Sequence, residues 1–251
     1  MGSEMCIRDR STDTLSVRWE EQIAEDYLPL MEGRTAPEDA GNLILAPSTD
    51  AGTQNISPSL SPDGRFIAFQ SEKDLFSIDL YMADAETGRI IRKLASADSD
   101  PHIDALRALD SSGTWSPDSQ FFAYVVFAEG RNQMVIVQSS NGRVSQRLTF
   151  ENTDIGAIAN PSWSPDNRYL AFSGSVGGIT DLFLYDLEAE SIIRLTDDKY
   201  ADFQPTWSPD SQTLAFTSDR GPQTNFENLT YSRFQLATVD ILSLIHISEP
   251  T

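Results

Sequence analysis

The sequence carries one cysteine and two histidines, and its 18 basic side chains are outnumbered by 38 acidic ones. One cysteine excludes a disulfide framework. Two histidines leave no His-Glu-x-x-His helix or equivalent zinc site. A net charge of −20 provides no basic stripe to neutralise phosphates, which argues against nucleic acid as a partner. No run approaches the ~20 apolar residues of a membrane helix, so no transmembrane segment is expected here, and no signal peptide is visible. Phosphate loops are missing too: Gly174-Ser175-Val176-Gly177-Gly178 has no Lys-Ser/Thr and opens no helix. The same string lacks the spacing of a Gly-x-Ser-x-Gly nucleophile elbow.

What the chain does have is a repeated tetrad. Ser61-Pro62-Asp63-Gly64, Ser116-Pro117-Asp118-Ser119, Ser164-Pro165-Asp166-Asn167 and Ser208-Pro209-Asp210-Ser211 each precede a short apolar run ending in Ala-Phe or Ala-Tyr. The prolines stand 55, 48 and 44 residues apart. Strand, tight turn and strand make a hairpin. Proline presets φ at the second turn position, Asp tolerates the third, and the fourth takes the left-handed region. Gly64 and Asn167 suit that position better than Ser119 and Ser211, so glycine at either serine is expected to be neutral or stabilising, by up to ~1 kcal/mol.

Each repeat continues with a third strand (80–83, 134–137, 182–185 and 234–237), and the first three continue with a fourth (90–94, 144–148, 192–195). Asn141-Gly142 between two of these is the strongest short-range turn signal present. Four antiparallel strands repeating every 40–50 residues or so describe one blade of a β-propeller. Trp115, Trp163 and Trp207 stand just ahead of their tetrads and are expected to fill the space between neighbouring blades.

These residues carry a resemblance. The tetrad with its Pro-x-Trp lead and Ala-Phe tail, together with Arg147-Leu148-Thr149 and Arg194-Leu195-Thr196, resembles WD40-like β-propeller repeats of the TolB type over about residues 53–240. The expected fold is all-β: an incomplete β-propeller of about four four-stranded antiparallel blades, preceded by a short N-terminal helix and linker. The resemblance implies a periplasmic or outer-envelope setting and, for the complete propeller, six blades.

The two ends read differently. Residues 1–10 and 242–251 resemble translated sequencing-adapter remnants, and with them go Cys6 and His246. Residues 11–52 are expected to hold a helix over 12–28, stopped by Pro29, and then a linker. Residues 53–241 hold blades 1 to 4, the fourth cut short. An arc of four blades is expected to leave two unpaired faces and exposed strand edges.

No catalytic, cofactor or metal residue is nominated. His102, beside Asp98, Asp100 and Asp104, reads as a loop histidine, and Asp197-Asp198 as a solvated loop without EF-hand spacing. The four tetrad aspartates Asp63, Asp118, Asp166 and Asp210 are explained by turn chemistry, as are Pro62, Pro117, Pro165 and Pro209. Asn228-Leu229-Thr230 matches a three-residue glycosylation acceptor, which is a weak pattern. The expected role is a non-catalytic scaffold for an unidentified protein partner. The rival role is an accessory propeller of a larger peptidase, of the serine prolyl-oligopeptidase or the metallopeptidase type.

Overall fold

The computed structural model describes residues 12–35, 37–74, 77–96, 105–106, 113–151 and 153–241. The two tail segments therefore lie outside the described residues. The chain divides into two units, Met1–Leu43 and Ile44–Thr251. In the first, helix α1 spans Thr12–Met31 and a single turn, α2, spans Pro37–Ala40. Pro29 does not stop α1 as expected but lies inside it. A proline removes one N–H, and only Leu30 and Met31 follow, so the helix ends within a turn of it.

The second unit is a run of four antiparallel sheets arranged as propeller blades. Blade 1 contains β1 (Asn55–Leu60), β2 (Phe66–Ser71), β3 (Asp79–Asp84) and β4 (Ile90–Ala95), paired in that order. In blade 2 the inner strand is split into β5 (Ala105–Leu106) and β6 (Thr114–Trp115), both paired to β7 (Phe121–Ala128). The blade continues with β8 (Arg131–Gln138) and β9 (Val144–Thr149). Blade 3 contains β10 (Ala157–Trp163), β11 (Tyr169–Val176), β12 (Ile179–Asp186) and β13 (Ser191–Arg194). Blade 4 has three strands among the described residues, β14 (Asp202–Trp207), β15 (Thr213–Ser218) and β16 (Gln235–Asp240).

The middle strands of blades 1 to 3 are buried on both faces, which is why β7 reads Phe-Phe-Ala-Tyr-Val-Val-Phe-Ala without polar alternation. The inner strands carry a feature the sequence did not announce. Ser57, Asn160 and Gln204, each just ahead of a proline, take φ values of 51°, 52° and 55°. At those points the pairing of β1 with β2, β10 with β11 and β14 with β15 slips its register. Proline cannot donate to a ladder, so a bulge there forfeits no bond that was available.

The core is a series of seams between blades. The back of blade 1 (Ala68, Leu80, Met82, Leu94) meets the front of blade 2 (Trp115, Phe122, Tyr124, Val135, Val137). The back of blade 2 (Ala123, Met134, Ile136, Leu148) meets blade 3 through Trp163, Leu170 and Phe172, and the back of blade 3 meets blade 4 through Leu214 and Phe216. Each large side chain so buried contributes about 1.5–3 kcal/mol. Hydrogen bonds contribute about 1 kcal/mol each, so the seams dominate the stability of the arc.

The expectation of two unpaired faces holds for only one. The front of blade 1, with Phe69, Tyr81 and Ala83, is covered by Leu45 and Ala51 of the segment leading into β1. Among the described residues nothing covers the back of blade 4: Leu236, in register with the fully buried Leu80, Met134 and Leu182 of the other blades, is 77% exposed.

Candidate functional site

The four tetrads build the same turn. The serine carbonyl accepts the N–H three residues on, from Gly64, Ser119, Asn167 and Ser211 at 2.8–3.0 Å. All four of those residues take a left-handed conformation, with φ of 73°, 60°, 66° and 59°. The serine hydroxyl, which the sequence reading left without a role, joins both ends of the turn. Ser61 donates to Asp63 Oδ1 at 2.7 Å while accepting the N–H of Phe66 at 2.9 Å. Ser116, Ser164 and Ser208 do the same with Asp118, Asp166 and Asp210. The aspartate oxygen also accepts the N–H two residues on. The Ser61 hydroxyl holds the Asp63 carboxyl down to about 2, helped by Arg65. Ser208 and the Gln212 N–H lower Asp210 likewise.

The turns also reach across seams. The Asp63 N–H donates to Ser119 Oγ of the next blade at 3.1 Å, and the Asp166 N–H to Ser211 Oγ at 3.0 Å. Two of the three tryptophans are tied in the same sense. Trp115 Nε1 donates to the Ser59 carbonyl, and Trp207 Nε1 to the Ser162 carbonyl, both at 3.0 Å. Trp115 stacks on Phe66 and Trp207 on Tyr169, with Arg65 over the Phe66 ring and Arg168 over the Tyr169 ring. Trp163 is buried in the middle seam, and its Nε1 has no partner among the described residues. In blade 1 the tryptophan position holds Leu60, which is exposed.

Opposite the tetrads, where β3 and β12 begin, lies a second set of polar groups that the sequence reading did not single out. Asp79, Asp181 and Asp202 are fully buried. Lys93 Nζ reaches Asp79 at 2.6 Å and also binds Asp74. Arg194 bridges Asp181 at 2.6 Å and Asp197 at 2.9 Å, and Arg220 bridges Asp202 at 2.7 Å and Asp198 at 3.1 Å. Burial by itself lowers Lys93, but its hydrogen bonds to Asp74 and Asp79 outweigh that and raise it. Burial raises Asp181 in spite of Arg194. Asp197 and Asp198 are thus partners of fixed arginines rather than a free acidic loop. Among the described residues, no group of His, Cys, Asp or Glu is arranged to hold a metal ion. His102, Asp98, Asp100 and Asp104 lie outside the described residues.

The family model described as the TolB beta propeller domain matches residues 102–239. The chain belongs to the TolB beta propeller family. This TolB-type propeller is 38% identical over 114 residues to the Tol-Pal system protein TolB of Hydrogenovibrio crunogenus, a match that covers 45% of this chain and 22% of that one. The chain spans about a fifth of the length of the curated TolB relatives it matches. In fold it is similar to the crystal structure of TolB from Acinetobacter baumannii, with a TM-score of 0.58 at 22% identity, covering 76% of this chain and 42% of that one. It is similar in the same sense to puromycin hydrolase, with a TM-score of 0.57 at 18% identity, covering 84% of this chain and 30% of that one.

Tetrads and tryptophans were visible in this TolB-type propeller because they recur in phase. The buried aspartates had a weaker signal, the shared Asp-Leu-aromatic opening at Asp79-Leu80-Tyr81 and Asp181-Leu182-Phe183. Their cationic partners come from different places, β4, β13 and the segment after β15, so only the folded chain brings them together.

Proposed function

We propose that this propeller is a non-catalytic protein-interaction scaffold of the bacterial envelope, working on the periplasmic side as part of a Tol-Pal-like assembly. The family match supports the reading, and one structural observation carries it. The most buried acids of the blades, Asp79, Asp181 and Asp202, are each held by a cation from their own blade. A general acid or base needs a group free to exchange its proton with substrate, and these carboxylates are committed to the framework. Rigid blades with loops at their ends are instead a platform for a partner.

A second reading has its own support. The chain is 25% identical over 143 residues to the uncharacterized peptidase YuxL of Bacillus subtilis. As the accessory propeller of such an enzyme it would admit substrate to a catalytic domain elsewhere in the protein. Of two measurements, hydrolysis tests whether the chain itself is catalytic and binding separates the two readings. Purified chain is offered a panel of fluorogenic peptides and esters, and titrated with the components of a Tol-Pal system in a binding assay. The scaffold reading expects background hydrolysis and a saturable isotherm. Turnover above background that survives repurification would overturn it.

A further inference from the structure

We propose that a cleft between blades 2 and 3 binds an arginine side chain of a protein partner, a proposal that deepens the scaffold reading and rests on it. The cleft measures about 350 Å³ and is lined by Phe150 and Glu151, which follow β9, and by Tyr185, Glu190 and Ile192 of blade 3. Both blades are interior to the arc, packed on blades 1 and 4 at their other faces. Three constellations of one kind occur elsewhere in the chain, each an aromatic ring beside two carboxylates, and each is filled by the chain's own cation. Lys93 lies over the Tyr81 ring at 5.4 Å and binds Asp74 and Asp79. Arg194 lies over Phe183 at 5.9 Å and binds Asp181 and Asp197. Arg220 lies over Tyr200 at 5.4 Å and binds Asp198 and Asp202. The cleft offers the same parts, the Tyr185 and Phe150 rings with Glu151 and Glu190, and among the described residues no Lys, Arg or His lines it. Glu151 meets Arg131 outside the cleft, at 3.6 Å with both side chains more than half exposed, a contact of small worth.

The floor of the cleft is fixed, and its polar group is uncommitted. Tyr185 is 8% exposed and meets Phe150 edge-on, with ring centroids 6.5 Å apart. Phe150 packs in turn on Phe172, and Thr153 Oγ1 donates to the Phe150 carbonyl at 2.8 Å, which holds the turn after β9. Among the described residues the Tyr185 hydroxyl has no hydrogen-bond partner, and burial together with the Glu190 charge raises its pKa. It therefore stays protonated at neutral pH, with an oxygen free to accept. A guanidinium suits these parts better than an ammonium. Its plane stacks on an aromatic face, and its five donors can serve two carboxylates and a phenol oxygen together. The cleft has no cation to hold an α-carboxylate, so the guanidinium it fits is one presented by a polypeptide and not by the free amino acid.

The test titrates the full chain with N-acetyl-arginine amide and follows isotope-labelled tyrosine rings by NMR, the Tyr185 signal being the one missing in Tyr185→Phe. The expected result is a saturable shift of that signal, in the millimolar range for a single side chain and weaker as salt is added. N-acetyl-citrulline amide, the neutral isostere, leaves the signal unmoved. Glu151→Gln and Glu190→Gln each weaken binding about fivefold. Equal shifts with arginine and citrulline, no shift with either, or binding unchanged in Glu151→Gln/Glu190→Gln each overturns the proposal. So does equal or tighter binding of N-acetyl-lysine amide, or tighter binding of free arginine, which would make the cleft a general cation site or an amino-acid site. The citrulline comparison uses the parent chain alone, so it decides even where a variant fails to fold. An arginine site without a Tol-Pal isotherm leaves the cleft standing and removes the assembly, and an isotherm without an arginine site does the reverse.

Discussion

The backbone N–H of Asp63 donates to the hydroxyl oxygen of Ser119, 56 positions later and one blade on, at 3.1 Å. This bond revises what glycine at Ser119 should do. Glycine relieves a left-handed conformation that costs an L-residue about 1–2 kcal/mol. It also removes a hydrogen bond of about 1 kcal/mol. Ser119→Gly is therefore expected to lie within about 0.5 kcal/mol of the parent in urea denaturation. Ser119→Ala keeps the strain and loses the bond, and should cost about 1–2 kcal/mol. A Ser119→Ala midpoint equal to that of the parent would remove the cross-blade bond from the account, and equal midpoints for the two variants would remove the strain.

The tryptophans give a contrast within one fold. Trp115 and Trp207 satisfy their indole N–H across a seam, whereas that of Trp163 is buried without a partner among the described residues. Trp115→Phe loses a bond and some packing, and should destabilise by about 2 kcal/mol. Trp163→Phe also discards an unsatisfied donor, so its cost should stay below about 1 kcal/mol. Thermal unfolding of the two single variants decides the order.

Asp63 supplies a pH dependence with a definite sign. Its folded value, about 2, lies below the ordinary 3.8. A carboxyl lowered on folding stabilises fully above its unfolded value, and that stability is lost as pH falls through the folded value. The side chain is about a third exposed, so solvent screening limits the effect to roughly 1 kcal/mol. Asp63→Asn should therefore be less stable than the parent at pH 7, and the gap should close between pH 4 and pH 2. A gap that persists at pH 2 would assign the difference to something other than ionisation.

The buried ion pairs predict an asymmetry. Arg194→Met leaves the fully buried Asp181 without its cation, a loss of about 3–5 kcal/mol. Asp181→Leu combined with Arg194→Met removes both charges and should recover most of that loss. Burial raises Asp181, so in Arg194→Met acid should relieve the defect by protonating the orphaned carboxylate. Chemical denaturation of both variants at pH 5 and pH 7 checks the pair, and a double variant no better than the single one contradicts it.

Much of this fold could be read along the chain. Pro62, Asp63 and their three counterparts mark turns, and the apolar runs after them mark strands. A turn is a local event fixed by four consecutive residues. Pro29 misled because a proline near a helix end removes one donor without ending the helix at once. Candidate polar sites were harder to see. Asp202 and Arg220 look like unrelated loop residues until β14 and β15 pair and bring them to 2.7 Å.

Local chemistry therefore determined the number of repeats, their strand order and the conformation of each tetrad, since these depend on neighbours within about ten residues. Tertiary structure alone decided which hydroxyl crosses a seam, which indoles find a partner there, and that Leu45 and Ala51 cover Phe69. Those outcomes depend on the stacking of one sheet on the next, where partners lie tens of residues apart and burial is settled by the assembled surface.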